Sequence, residues 1–298
     1  MRRWARAWPA TRCGTEARIR LTTLEATLRG LRDQRRAGLV PFLTAGYPDA
    51  GASARLLETL ADQGVAAIEL GIPFSDPLAD GPALQVASQV ALEQGMTVAG
   101  VLALARGLRA RRATPLVAMT YINPVLAYGV ERFARDARES GIEGVIVSDL
   151  PPEERADVWD TLAASGLDTI PLVAPTTAPE RLPRVLARAR GFVYCLSRTG
   201  VTGDARAFDR ELDGLVAAVR EGSDLPVGIG FGVSDAAKAR YVAERAEAVI
   251  VGAAIARVIE RAQPAGTDAV VAQVAAFSAE LAAAVAGVVK DPSGGARA

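Results

Sequence analysis

Two acidic residues close together in the chain have the types and setting for proton chemistry. Glu69 ends the apolar run Ala66-Ala67-Ile68, and Asp80 lies in the loop that follows, Gly71-Ile72-Pro73-Phe74-Ser75-Asp76-Pro77-Leu78-Ala79-Asp80-Gly81-Pro82. With the two-residue period of a strand, Ala66, Ile68 and Leu70 share one face while Ala67 and Glu69 share the other, so Glu69 points where a core residue belongs. A carboxyl facing a packed interior is poorly solvated. Its pKa rises, which suits a group that passes a proton near neutral pH. Asp80, in a loop punctuated by glycine and proline, is expected to stay ionised. Two carboxylates in contrasting surroundings can give one site both an acid and a base. A salt-bridged structural glutamate beside a solvated turn aspartate would leave the same letters, but inward-facing acids are costly and cluster at functional sites.

The rest of the composition narrows the chemistry. Histidine is absent from all 298 residues, which removes the commonest general base and the commonest ligand of a catalytic metal, so no metal is expected. Proton transfer then falls to carboxylates or tyrosines. Lysine occurs only as Lys238, within a helical segment, and Lys290, in the tail. Neither stands at a strand end, which argues against a Schiff-base mechanism. Lys plus Arg equals Asp plus Glu at 34 each, so no net basic field recruits nucleic acid or an acidic membrane, and small-molecule chemistry is the expectation. The two cysteines, Cys13 and Cys195, make no disulfide framework, and a reducing cytoplasm fits. No apolar run reaches the roughly 18 residues of a membrane helix, and Leu39 to Ala45 is too short for a secretory core.

These residues need a scaffold, and the pattern supplies one. Half of the chain is hydrophobic, enough for one barrel-sized core. Residues 1–20 are rich in arginine, carry Trp4 and Trp8, have a single acid at Glu16 and show no apolar periodicity. We expect a disordered extension, with an overlong start and a genuine arm as competing explanations. From Thr22, the leucines Leu24, Leu28 and Leu31 recur at helical spacing, with Thr22 or Thr23 to cap the helix and Gly38 to stop it. Strand-like runs then alternate with amphipathic segments: Leu39 to Thr44, Ala66 to Leu70, Pro115 to Thr120, Gly144 to Ser148, Asp168 to Val173, Gly191 to Leu196, Pro226 to Gly230 and Glu247 to Val251. Eight β-then-α units predict an α/β fold, a (β/α)8 TIM barrel over residues 21–290 with an N-terminal helix and a tail at 291–298. A doubly wound open sheet is the alternative.

In such a barrel the active face lies at the C-terminal strand ends. The loop after the sixth strand, Ser197 to Asp204, is long and glycine-bearing, as expected of a lid. Gly228-Ile229-Gly230-Phe231-Gly232 and Val251-Gly252-Ala253 follow the seventh and eighth strands, where barrels bind phosphate. Glycines let backbone N–H groups approach an anion, and a following helix N-terminus adds a favourable dipole. Tight strand-to-helix turns also ask for glycine. Neither stretch matches a nucleotide fingerprint.

Leu39-Val40-Pro41-Phe42, the run Glu69 to Pro82, Leu196 to Gly203 and Gly230-Phe231-Gly232 together resemble the tryptophan synthase alpha chain, over roughly Thr22 to Val289. The run from Glu69 to Pro82 is highly specific to that family. The resemblance implies a lyase that splits indole-3-glycerol phosphate into indole and glyceraldehyde 3-phosphate by a retro-aldol cleavage. It makes Glu69 the acid that protonates the indole ring and Asp80 the group that stabilises the charge at the indole N–H. Tyr194 and Thr202 would support Glu69 and order the lid. Phe42, Met119, Tyr121, Ile146, Leu172 and Phe231 would form an apolar wall around indole, though Met119 and Ile146 also read as plain barrel core. Gly203, Gly232, Gly252 and Ala253 would hold the phosphate, with Ala253 standing where the family commonly has serine. The family works in the cytoplasm with a beta chain that carries pyridoxal phosphate, in an alpha2-beta2 tetramer, and the loop with Asp76 and Pro77 would face that partner. No cofactor is implied for this chain. A free-standing indole-releasing lyase and a non-catalytic phosphate-binding barrel are the alternatives.

Overall fold

A computed structural model describes residues 23–196, 205–230 and 232–290. The expected extension at 1–20 and the tail at 291–298 lie outside the described residues. Nine short strands run parallel: β1 (Gly38–Thr44), β2 (Ile68–Gly71), β3 (Leu116–Thr120), β4 (Ile142–Val147), β5 (Asp168–Thr169), β6 (Leu172–Val173), β7 (Val193–Leu196), β8 (Val227–Gly230) and β9 (Ala248–Val251). Their order is β5-β4-β3-β2-β1-β9-β8-β7-β6. The two ends of this sheet, β5 and β6, are separated by only Ile170 and Pro171, so they must lie within about 10 Å of each other and the sheet curls on itself. β5 and β6 are the expected fifth strand in two pieces. Ile170 N–H still donates to Val145 and Tyr194 N–H donates to the Pro171 carbonyl, but Pro171 has no N–H of its own to continue a ladder. The TIM barrel is therefore present and the open sheet is not.

Side chains sort by strand parity into two layers. Leu39, Leu43, Ile68, Leu70, Leu116, Ala118, Val145 and Val147 pack outward against the helices. Val40, Ala67, Val117, Ile146, Ile170, Phe192, Tyr194, Ala248 and Ile250 fill the barrel interior. Glu69 has the inward parity of Ala67, as expected. Ala66 does not keep the face expected of it, and joins the interior with Ala67 because the pleat begins only at Ile68.

The N-terminal helix α1 (Thr23–Asp33) closes the floor of the barrel. Leu24 and Leu28, both 0% exposed, belong to the interior layer. Buried Glu143 of β4 accepts from the Leu24 backbone N–H at 2.7 Å, which caps a helix terminus that leaves N–H groups unpaired. Gly38 does not stop this helix. The helix ends earlier, with Arg35 in the left-handed region at φ 57° and Arg36 N–H donating to the Leu31 carbonyl, and Gly38 opens β1. Glycine is required there for space: a Cβ would lie 2.5 Å from that of Ala66 and 2.8 Å from Leu31.

The last long helix, Thr267–Ala286, is apolar and long enough by length and composition to cross a membrane, contrary to the expectation that no segment would be. It packs on the barrel through a stripe of Val270, Val274, Ser278, Leu281, Ala284 and Val285. The floor generates a test. Leu28→Ala is expected to lower the unfolding free energy by about 2–5 kcal/mol in denaturant titration, because it hollows a fully packed layer that no neighbouring side chain can refill.

Candidate active site

β2 carries Glu69 into the barrel between β1 and β3, in register with Phe42 on one side and Val117 on the other. The glutamate is 1% exposed. Among the described residues its Oε1 is buried without a hydrogen-bond partner. Burial alone pushes the carboxyl from its ordinary 4.5 up to about 8, because no cation offsets the lost hydration. The expected inward, proton-holding acid is there.

The loop after β2 folds back over the same mouth. Tight turns shape it, with Leu78 N–H donating to Asp76 and Asp80 N–H to Pro77. The Tyr121 hydroxyl, just past β3, accepts from Ala79 N–H at 3.1 Å and is hydrogen-bonded to the Asp80 carboxylate. The Phe74 ring leans on Tyr121 with centroids 5.3 Å apart. Asp80 is thus not the freely solvated turn residue that the sequence suggested. Burial raises its pKa to about 6, with the Tyr121 bond opposing the rise, so at pH 7 it is ionised as expected but with a narrower margin. Tyr194 of β7 ties the two acids together. Its hydroxyl is held well above its ordinary pKa, by burial first and then by the charges of Glu69 and Asp80. Glu69, Asp80, Tyr121 and Tyr194 therefore share one electrostatic neighbourhood at the mouth.

The chain as a whole is similar to known proteins. The family model described as tryptophan synthase alpha chain matches residues 28–286. The chain belongs to the tryptophan synthase alpha chain family. It is 43% identical to the alpha chain of Burkholderia pseudomallei, over 91% of this chain and 99% of that one. With the alpha chain of Acidiphilium cryptum it shares 46% identity, over 88% of this chain and 98% of the relative. Among solved structures it resembles a tryptophan synthase from Mycobacterium tuberculosis with a TM-score of 0.79 and 37% identity, covering 90% of this chain and 99% of that one. A tryptophan synthase subunit alpha from Legionella pneumophila gives a TM-score of 0.81 at 34% identity, over 90% of this chain and all (100%) of that chain. The role is that of an alpha chain in tryptophan biosynthesis, a lyase.

Within this alpha chain the remaining expected residues fall in three places. Phe42 lies across the mouth between Gly71 and Gly252, where a Cβ would meet its ring at 2.4 Å and 3.3 Å respectively. Met119 and Leu172 pack against the interior layer while keeping partly exposed surface, whereas Ile146 is fully buried beneath them. Gly232, at φ 84°, follows β8, and Gly252 opens the helix Ala253–Ala262, whose first N–H groups have no side-chain cap. Gly252 and Ala253 are half-buried. Thr202, Gly203 and Phe231 lie outside the described residues. Gly228 and Gly230 lie in β8, within the expected strand Pro226 to Gly230: a Cβ on Gly228 would lie 2.7 Å from Phe192, and one on Gly230 would lie 2.1 Å from the Tyr194 hydroxyl. Their glycines make room for two rings. Asp76 is exposed, bonded by the Ser75 hydroxyl at 2.5 Å, and the neighbouring Leu78 is 91% exposed.

Tyr121, expected in an apolar wall, has a polar role that the sequence reading did not assign. It is a polar clamp on the Asp80 loop, and the clue was its hydroxyl, since a buried phenol needs a partner. Cys195, buried in β7 with its thiol pushed up to about 12, has no reactive character.

Glu69 also links the site to stability. In the unfolded chain the group releases its proton near 4.5, whereas in the barrel it keeps it to about pH 8. Its folded form is thus favoured below pH 4.5, and this contribution is lost as pH rises to 8. Glu69→Gln, which cannot ionise, is expected to gain on the parent over that window, by on the order of 3–5 kcal/mol at pH 9 and little at pH 4.5. Denaturant titrations at both pH values would check it, and a pH-independent difference would refute the buried-acid assignment.

Proposed function

We propose that this chain cleaves indole-3-glycerol phosphate to indole and glyceraldehyde 3-phosphate. The observation that carries the reading is the buried, unpartnered Glu69 facing the same mouth as the ionised Asp80. A carbon–carbon bond breaks heterolytically only if its electrons have somewhere to go. Lys290 is paired with Glu247 and Lys238 with Ser234 and Asp235, so no free lysine among the described residues offers a Schiff base. The substrate must supply the sink. Neutral Glu69 donates its proton to C3 of the indole ring, and the resulting positive charge at the ring nitrogen is met by the Asp80 carboxylate, to which the N–H donates. The carboxylate of Glu69 then takes the proton of the adjacent glycerol hydroxyl. That oxygen becomes the aldehyde carbonyl as the bond to C3 breaks, the electron pair returns to the ring, and Glu69 is left protonated as it began. Tyr194, within the electrostatic reach of both acids, would orient Glu69.

Phe42, Met119 and Leu172 would contact the indole ring, with Ile146 as their floor, and Thr202 and Phe231 would complete that subsite. Gly203, Gly232, Gly252 and Ala253 would bind the phosphate through backbone N–H groups. The partner would be a tryptophan synthase beta chain carrying pyridoxal phosphate, in an alpha2-beta2 assembly in the cytoplasm. The turn Asp76-Pro77-Leu78, with Leu78 91% exposed, and Leu126 at 41% exposure in the helix after β3, offer it apolar surface.

Indole release from indole-3-glycerol phosphate, measured with and without a beta chain, tests the reading. The parent should give a bell-shaped kcat/KM profile with limbs near pH 6 and 8, the acidic limb from Asp80 and the basic limb from Glu69. Glu69→Gln should lose about 100-fold or more at every pH. A variant that kept full indole production would end the assignment. Ala253→Ser restores a hydroxyl donor at the helix N-terminus and should lower KM by about fivefold, the effect of one hydrogen bond of roughly 1 kcal/mol. An unchanged KM would place the phosphate elsewhere.

A further inference from the structure

The wall of the barrel is open at one place. β4 pairs with β5 only at Gly144 and Val145, and β6 pairs with β7, so the end of β4 and the whole of β6 face each other without a ladder. A cavity of about 210 Å³ fills this seam, lined by Ser148, Trp159, Ile170, Leu172, Thr177 and Arg181 among others. Ile170 and Leu172 belong to or pack on the interior layer. Ser148 continues the inward parity of Gly144 and Ile146 and is tied to the end of β3 by its N–H, which donates to Thr120 at 2.8 Å. It therefore stands beside Tyr121, the clamp of Asp80. Ser148 and Leu172 are the common wall between the ring subsite and this annex.

Most polar side chains of the lining are already engaged, and behind Arg181 the second oxygen of Glu153 is buried without a partner among the described residues. Asp149 accepts from Ile122 N–H at 2.7 Å, Thr177 accepts from Ala174 N–H at 3.0 Å, and Arg181 is neutralised by Glu153 at 2.6 Å. The Ser148 hydroxyl is buried with no partner among the described residues. A buried hydroxyl without a partner is unfavourable, so a ligand that supplies one is favoured over a ligand that does not. With Arg181 paired and the Asp149 carboxylate also in the lining, nothing there attracts an anion, and the fitting group is small, neutral and able to hydrogen-bond.

We propose that Ser148 is a specificity-determining residue whose hydroxyl, at the seam between β4 and β6, lets the aromatic subsite accept indoles bearing a hydroxyl on the six-membered ring. This rests on the proposed cleavage and deepens it. The reverse reaction gives the cleanest test. Indole C3 adds to the aldehyde carbon of glyceraldehyde 3-phosphate, the carbonyl oxygen takes a proton, and the C3 proton is lost. The full chain would be assayed with indole and with each of the hydroxyindoles substituted on the six-membered ring. For at least one isomer, kcat/KM relative to indole should fall about five- to tenfold in Ser148→Ala and be retained in Ser148→Thr, which keeps the hydroxyl. Because indole is measured on the same variant, a general loss of activity cancels. If indole condenses but the ratio is unchanged for every isomer in Ser148→Ala, the annex has no such role. If no indole condenses on the parent chain, the proposed cleavage fails and this inference with it.

Discussion

The structure is organised around the cost of keeping one carboxyl out of water. Among the described residues three other glutamates are buried, and each has a cation or a backbone donor to replace its hydration: Glu25 pairs with Arg29, Glu143 with Arg109 and the Leu24 N–H, and Glu247 with Arg220, Lys290 and the Val227 N–H. Glu143 and Glu247 stand at the N-terminal ends of their strands, where they fasten the floor helix and the C-terminal segment to the barrel. Glu69 is treated differently. It has none of these partners among the described residues, and its proton is the only means by which it avoids an uncompensated charge. A fold does not keep such a group for stability, since a leucine would serve better in the same place.

That constraint dictates the packing around it. An acid at the mouth is useful only if space remains for a substrate, and several positions reach this by lacking a side chain. Gly71 and Gly252 admit the Phe42 ring between them, and Gly230 admits the Tyr194 hydroxyl. The floor is packed in the opposite manner, with Leu24, Leu28 and Phe192 fully buried. The floor is therefore packed by large side chains, whereas the mouth is shaped by glycines that let two aromatic rings approach the backbone.

Much of this was readable from the sequence because parity and punctuation are local. The eight strands, the inward side of Glu69 and the floor helix follow from the period of apolar residues, and the run from Glu69 to Pro82 identified the family. What was not readable depends on contacts between distant residues. Gly38 looks like a helix stop, and its actual reason, the Cβ of Ala66, lies a whole β-α unit away. Gly228 and Gly230 look like an anion loop, whereas their reason is two rings on the neighbouring strand. Tyr121 looks like one more member of an apolar wall because its partner, Asp80, comes from the preceding loop. The split of the fifth strand was visible as Pro171, but a proline does not say whether a strand bends, ends or divides.

The clamp on Asp80 shows why the choice of partner matters at this site. Burial drives that carboxyl up, and the Tyr121 bond restrains it near 6. An arginine in place of the phenol would hold the aspartate ionised more firmly, but its own positive charge would cancel the field that a developing cation on an indole ring must find. A purely apolar neighbour would leave the field intact and let the carboxyl pick up a proton near neutral pH. A neutral hydroxyl avoids both outcomes, since it donates a hydrogen bond to the charged form without adding charge of its own. The same reasoning applies to Tyr194, which feels the charges of both acids: a neutral hydroxyl in that place leaves the difference between a protonated glutamate and an ionised aspartate undisturbed.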